Sequence, residues 1–347
     1  MLSKADFGER ESSLLGHAGR AAAGLAVGAL AAYGVYLLGA PKGRRKPVTE
    51  LSRALPLKLE YVPWRGLYYG YYSHPGQGGR PLLFLHAVSG VSSAHEMRPL
   101  VQRLSRRLGD RPSYVLEWLG FGHSDRPDTE YTPELFEEQL EHFLERIVAT
   151  GSDGADVVGL SMGASYAASL AGRRPDLIHC LVAIEPAGLG AEPKQIGPGW
   201  GRLLFTLPGV QRAFFDRWSK PAALREFVRD NIFTPEFGVP DDFVVYAAES
   251  ARVEGASRPF DDFLSGRLHP DGAPGSFARL RQPLLVIHGT VANRRFESYR
   301  ELPDLESRPN ATVIPLSTGA LPHWERPDEV AGEIESFLAG ASGEANR

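Results

Sequence analysis

A serine set between two glycines, Gly159-Leu160-Ser161-Met162-Gly163, is the strongest chemical signal in this 347-residue sequence. It closes a short apolar run, residues 155–160 (ADVVGL), and is followed by ASYAASLAG, which reads as a helix. A G-x-S-x-G turn that joins a strand to a helix exposes the serine hydroxyl as a nucleophile for attack on a carbonyl carbon. The flanking glycines allow a strained turn in which strand and helix pass close together. The plainer alternative is a turn serine without chemistry, and the strand before and helix after favour the nucleophile over it. Other catalytic signatures are missing: there is no G-x-x-x-x-G-K-[ST], no G-x-G-x-x-G after a strand and no H-E-x-x-H. No cofactor and no catalytic metal are therefore expected.

Such a serine needs a scaffold, and the rest of the pattern supplies one. Residues 57–73 hold two aromatic, alternating segments around Arg65-Gly66, which predict an antiparallel hairpin. Short apolar runs at 81–86, 113–117, 155–160, 180–185, 283–288 and 311–316 predict strands buried on both faces of a parallel sheet. Helical stretches separate most of them; over 132–147, Leu135, Phe136, Leu140, Phe143, Leu144 and Ile147 fall on one stripe. The expected fold class is α/β, with a doubly wound, mostly parallel sheet. Residues 189–280 break the rhythm with short helical, aromatic-rich segments, and an insertion there predicts a cap over the C-terminal sheet edge.

With these residues in view, the chain over roughly 57–340 resembles the α/β-hydrolase superfamily, in its serine-nucleophile, esterase and lipase-like branch. Besides the elbow, the resemblance rests on His86-Ala87-Val88-Ser89-Gly90, on Gly120-Phe121-Gly122-His123-Ser124-Asp125-Arg126-Pro127 and on Pro322-His323-Trp324-Glu325-Arg326-Pro327. The resemblance implies Ser161 as nucleophile and His323, after the last strand, as the base that takes its proton. It implies an oxyanion hole made by the backbone N–H groups of Met162 and Val88, although Ala87 stands where the family commonly has glycine. The acid departs from the family pattern. Where an aspartate is usual the sequence reads Gly289-Thr290-Val291-Ala292-Asn293, which leaves Glu185 as triad acid, Asn293 as a neutral orienter, or no third member. Glu185 has a structural alternative, anchoring loops by hydrogen bonds. His86, Glu117 and Asp125 are read as bracing residues, and the tyrosines at 68, 69, 71 and 72 as sheet packing.

Composition bounds the remaining options. With 38 basic and 42 acidic residues and a net charge of -4, there is no electrostatic footprint for nucleic acid. The single cysteine, Cys180, excludes an intrachain disulfide, fits a reducing compartment and reads as a buried structural thiol. Residues 21–40 run without a charge and are followed by Lys42, Arg44, Arg45 and Lys46. The run reads as a transmembrane helix that leaves the following residues on the cytoplasmic side; a helix packed on the protein, leaving the chain cytoplasmic, and a secretory signal are the alternatives. Gly24 and Gly28 would allow close helix-helix association. The expected layout is a tail and anchor over 1–40, a basic linker over 41–56, the core over 57–188 and 281–340, and a cap or lid over 189–280. The expected activity is hydrolysis of a carboxylic ester or related acyl compound, a small and hydrophobic substrate, through an acyl-enzyme on Ser161. The alternatives are an acyltransferase or perhydrolase using the same site and a non-catalytic binding or scaffold protein.

Overall fold

The computed structural model describes residues 51–148, 153–189, 209–269, 273–291 and 302–344. The apolar run 21–40, residues 190–208 of the expected cap and Asn293 lie outside the described residues. Among the described residues no helix is long and apolar enough to cross a membrane.

Among the described residues, eight strands form one sheet in the order β1-β2-β4-β3-β5-β6-β7-β8. β1 (Lys58–Trp64) and β2 (Leu67–His74) form the predicted hairpin. Arg65 and Gly66 both take positive φ, 53° and 77°, and Trp64 pairs with Leu67. A two-residue turn of this hand matches the twist of antiparallel strands, and the glycine carries its second position without strain. Three of the four tyrosines of β2 are buried, Tyr69 and Tyr71 on one face and Tyr72 on the other, while Tyr68 is exposed. Packing therefore accounts for most of this aromatic run.

β3 (Leu82–Leu85) leads through a 3-10 turn, Ala94–Met97, into α1 (Arg98–Arg107) and β4 (Ser113–Leu116). α2 (Pro133–Phe143) follows, capped by the Thr132 side chain on the Leu135 N–H. β5 (Ala155–Leu160), α3 (Met162–Arg173) and β6 (Ile178–Ile184) come next. From β3 to β8 all strand pairs are parallel, while β2 pairs antiparallel to both β1 and β4. β5 is buried at all six positions, as a run of ADVVGL requires of a central parallel strand.

Between β6 and β7 (Leu284–Gly289) lie α4 (Val210–Trp218), α5 (Pro221–Asn231), α6 (Asp241–Ser250), α7 (Arg258–Leu264) and α8 (Ala273–Arg279). In the last of these, Phe277 joins the cluster that contains the α3 alanines. α9 (Leu302–Glu306), β8 (Ala311–Leu316), α10 (Pro322–Glu325) and α11 (Pro327–Glu344) are the last elements among the described residues. β8 departs from the expectation of a strand buried on both faces, because as the sheet edge it leaves Thr312 and Pro315 exposed. Pro315 is tolerated there since an edge strand can spare a donor.

Candidate active site

The site is built at the C-terminal ends of the parallel strands, where loops from several strands converge. Ser161 follows β5 directly with φ 53° and ψ −124°, a conformation that side-chain-bearing residues seldom adopt. Such strain costs about 1–3 kcal/mol and persists only where the surroundings enforce it. Here the Ser161 N–H is held by the Ile184 carbonyl at 2.9 Å, and the Ala164 N–H donates back to the Ser161 carbonyl at 3.1 Å. Both elbow glycines are sterically required. A Cβ on Gly159 would lie 2.6 Å from the Ala164 Cα, and one on Gly163 would lie 2.6 Å from the His86 carbonyl oxygen. α3 thus begins in contact with the loop after β3.

That loop contains Val88. Neither the Val88 N–H nor the Met162 N–H makes a hydrogen bond among the described residues. Unspent backbone donors at a helix start and in a neighbouring loop are what a developing oxyanion needs. Helices α4 and α7 press on the same loop, since a Cβ on Gly90 would meet Trp218 at 2.5 Å and Phe260 at 3.0 Å. Phe215 packs edge-on to Phe260, so an aromatic cluster roofs the loop.

His323 lies on α10 and is fully buried. Its Nε2 stands 2.9 Å from the carbonyl oxygen of Glu96. A carbonyl only accepts, so Nε2 carries the proton and Nδ1 holds the lone pair. Nδ1 has no hydrogen-bond partner. No hydrogen bond therefore joins His323 to Ser161 or to Glu185. Burial pushes the His323 imidazole down to about 4, only partly opposed by its bond to Glu96. Trp324 donates to the same Glu96 carbonyl at 2.7 Å, so two neighbouring side chains clamp one peptide oxygen.

Glu185, at the end of β6, also has a positive φ, 44°. Its N–H bonds to the Ile287 carbonyl, and its carboxylate accepts the N–H of Gly289. Gly289 in turn abuts the Gly319 carbonyl, which leaves no room for a side chain. Glu185 therefore ties β6 to the end of β7, one backbone layer from the loop after β8. That loop is itself held by Glu325, which accepts the N–H groups of Gly319 and Thr234 at 2.9 and 3.0 Å.

Two further carboxylates stand near the site. Glu117 is fully buried; burial alone would raise it, but the imidazoles of His123 and His86 hold it at about 2. It accepts the Ala94 N–H at 3.1 Å and lies 3.3 Å from His86 Nε2, a bracing arrangement. Gly122 has no alternative residue there, because a Cβ would fall 2.0 Å from the Glu117 carboxylate. Asp125 accepts the Tyr68 N–H and likewise braces a loop.

Glu96 was invisible in the sequence. It belongs to no motif, yet its carboxylate accepts the Ala87 N–H at 3.0 Å while its carbonyl receives His323 and Trp324. Desolvation pushes this carboxyl up to about 7. Only the fold, by bringing the turn 94–97 against α10, reveals it.

Comparison with known proteins gives the same architecture. A family model described as alpha/beta hydrolase family matches residues 82–333. The 2-hydroxymuconate semialdehyde hydrolase of Pseudomonas sp. (strain CF600) is 30% identical over 118 residues, 33% of this chain and 40% of that enzyme. The chain thus aligns with about two-fifths of the length of the hydrolases it matches first. A probable alcohol acetyltransferase of Saccharomyces cerevisiae is 28% identical over 278 residues, 76% of this chain and 78% of that protein. Among solved structures, a membrane phospholipase A described as a bacterial virulence factor superposes with a TM-score of 0.60 at 22% identity, covering 96% of this chain and 99% of that one.

Proposed function

From the alpha/beta hydrolase family, to which this chain belongs, we propose an acyl-handling enzyme in which Ser161 attacks the carbonyl of a hydrophobic ester and carries the acyl group. The observation behind the proposal is the strained Ser161 turn flanked by the two unspent N–H groups of Met162 and Val88. In the proposed step the Ser161 oxygen bonds to the carbonyl carbon and negative charge builds on the carbonyl oxygen, where those donors stabilise it. The hydroxyl proton passes to His323, which must accept it at Nδ1, the nitrogen with the lone pair. The leaving alcohol takes that proton as the ester bond breaks. Water then releases the acid, or an alcohol takes the acyl group; the match to an alcohol acetyltransferase keeps transfer beside hydrolysis.

In this proposal the Glu96 carbonyl does the orienting. It fixes the imidazole tautomer, a task usually given to a triad acid. Glu185 serves as the anchor of the β7 end through Gly289. The aromatic roof of Phe215, Trp218 and Phe260 supports an apolar acyl or alcohol group. The run 21–40 with its basic flank is proposed to anchor the chain with this site on the cytoplasmic side.

A second reading, a non-catalytic protein that binds a carbonyl ligand, is favoured by the missing hydrogen bond between Ser161 and His323. Treatment of the full chain with a fluorophosphonate probe decides between them. Labelling that is lost in Ser161→Ala supports the enzyme. Folded wild-type protein that stays unlabelled but binds a medium-chain ester saturably supports the second reading. An ester series tests the substrate class: turnover no better than acetate at longer chains removes the hydrophobic preference. Fractionation of full-length chain against one starting at Lys42 tests the anchor, and equal solubility of both would overturn it.

A further inference from the structure

At the opposite, N-terminal edge of the parallel strands, three side chains with metal-binding atoms converge on one carboxylate oxygen. The Asp156 Oδ1 lies 2.8 Å from His179 Nδ1 and 3.1 Å from Cys180 Sγ. The three atoms fall within 4.8 Å of one another. Consecutive strand residues ordinarily point to opposite faces, so His179 and Cys180 should not both reach Asp156. They do so because the ladder is irregular here: Ala155 pairs with Ile178 and Asp156 with Cys180, which leaves His179 as the extra residue of a β-bulge. A bulge re-aims a side chain at the expense of regular pairing, and such distortions concentrate at functional sites.

We propose that Asp156, His179 and Cys180 form a site for a thiophilic divalent cation, Zn2+ in the first instance, separate from the Ser161 site and independent of its proposed chemistry. The donor set is one nitrogen, one sulfur and one oxygen, the mixture that suits zinc and leaves a fourth position for water. Around zinc, donor atoms stand about 3.3–3.7 Å apart, so the present spacing needs to open by about half an ångström. The Cys180 thiol and the His179 Nδ1–H both donate to Asp156 Oδ1. A cation takes the place of those two protons. The thiol proton is released to solvent, and the imidazole proton moves to Nε2.

The surroundings suit this role. Arg111 holds the other oxygen, Asp156 Oδ2, and so orients the carboxylate as the hydrogen-bonded outer shell of a metal site does. Asp156 and Cys180 are buried, whereas His179 forms part of the wall of an open cavity of about 550 Å³. Asp153 and Asp176 share that wall and would draw a cation toward the opening.

The single cysteine makes the test specific. Full-length chain, reduced and stripped with a chelator, is titrated with Co2+. One equivalent is expected to produce a thiolate-to-cobalt charge-transfer band in the near ultraviolet, which Zn2+ then abolishes. In Cys180→Ser the band is expected to vanish, and in His179→Ala the cobalt affinity is expected to fall at least about tenfold. Folded wild-type protein that gives no such band with cobalt in large excess overturns the proposal. So does a His179→Ala variant that binds cobalt as tightly as wild type. Should Cys180→Ser fail to fold by circular dichroism, His179→Ala decides, because His179 sits at the surface of the cluster.

Discussion

The elbow around Ser161 and the loop around His323 are both short, both follow a strand, and they differ in what fixes them. The elbow takes its shape from neighbours in sequence, Gly159 and Gly163 permitting the close approach and Ala164 bonding back to Ser161, with the Ile184 carbonyl on the Ser161 N–H and the His86 carbonyl against Gly163 as its contacts from afar. His323 is held by a residue 227 positions away in the chain, through the Glu96 carbonyl. A local turn carries its geometry with its residues, whereas an imidazole acquires its role from whatever the fold sets against its two nitrogens.

The comparison breaks most readily at the serine. Ser161→Ala is expected to abolish fluorophosphonate labelling, a loss of at least about 10³-fold, with unchanged folding by circular dichroism. Persisting labelling would move the nucleophile elsewhere. His323→Ala is expected to slow labelling by about 10² to 10⁴-fold, the usual contribution of a general base. A rate within a few fold of wild type would make His323 a clamp for the 94–97 turn and nothing more.

The pH dependence separates those two roles again. His323 must be neutral to accept a proton, and burial holds it near 4. Labelling should therefore stay level from neutral pH down to about 5 and fall as pH drops through about 4. The sign for stability is the same. The folded pKa is depressed, so the stabilisation is complete above the unfolded value of 6.5 and is lost as pH falls from there through about 4. A labelling midpoint near 6.5 would mean that the ring titrates exposed to water. Glu185→Gln is expected to have the smallest effect: labelling within a few fold, and stability lower by about 1 kcal/mol from a weaker bond to Gly289. A loss near 10⁴-fold, as when the carboxylate of a serine triad is replaced by its amide, would restore Glu185 as triad acid.

Much of this was legible in the residues. The hairpin followed from alternating aromatics around Arg65-Gly66, and the strands from apolar runs that the sheet reproduces within about two residues. β6 starts at Ile178 instead of residue 180 because the bulge at His179 lets the strand begin earlier. Nothing in the spacing of His179 and Cys180 announces a bulge, since ladder register depends on the partner strand. The same holds for Glu96, which is one charged residue among several until α10 is laid against it.

By itself, then, the sequence determined the alternation of strands and helices, the elbow and its serine, because apolar periodicity and glycine's freedom act over a few residues. It left open which groups meet the histidine, the carboxylates and the cysteine. Tertiary structure decided that the His323 Nε2–H goes to a peptide carbonyl, that the Glu185 carboxylate takes Gly289, and that Cys180 shares Asp156 with His179. Hydrogen bonds and charges act over a few ångströms of space, and the chain positions that close such gaps are set by packing of the whole sheet and its helices.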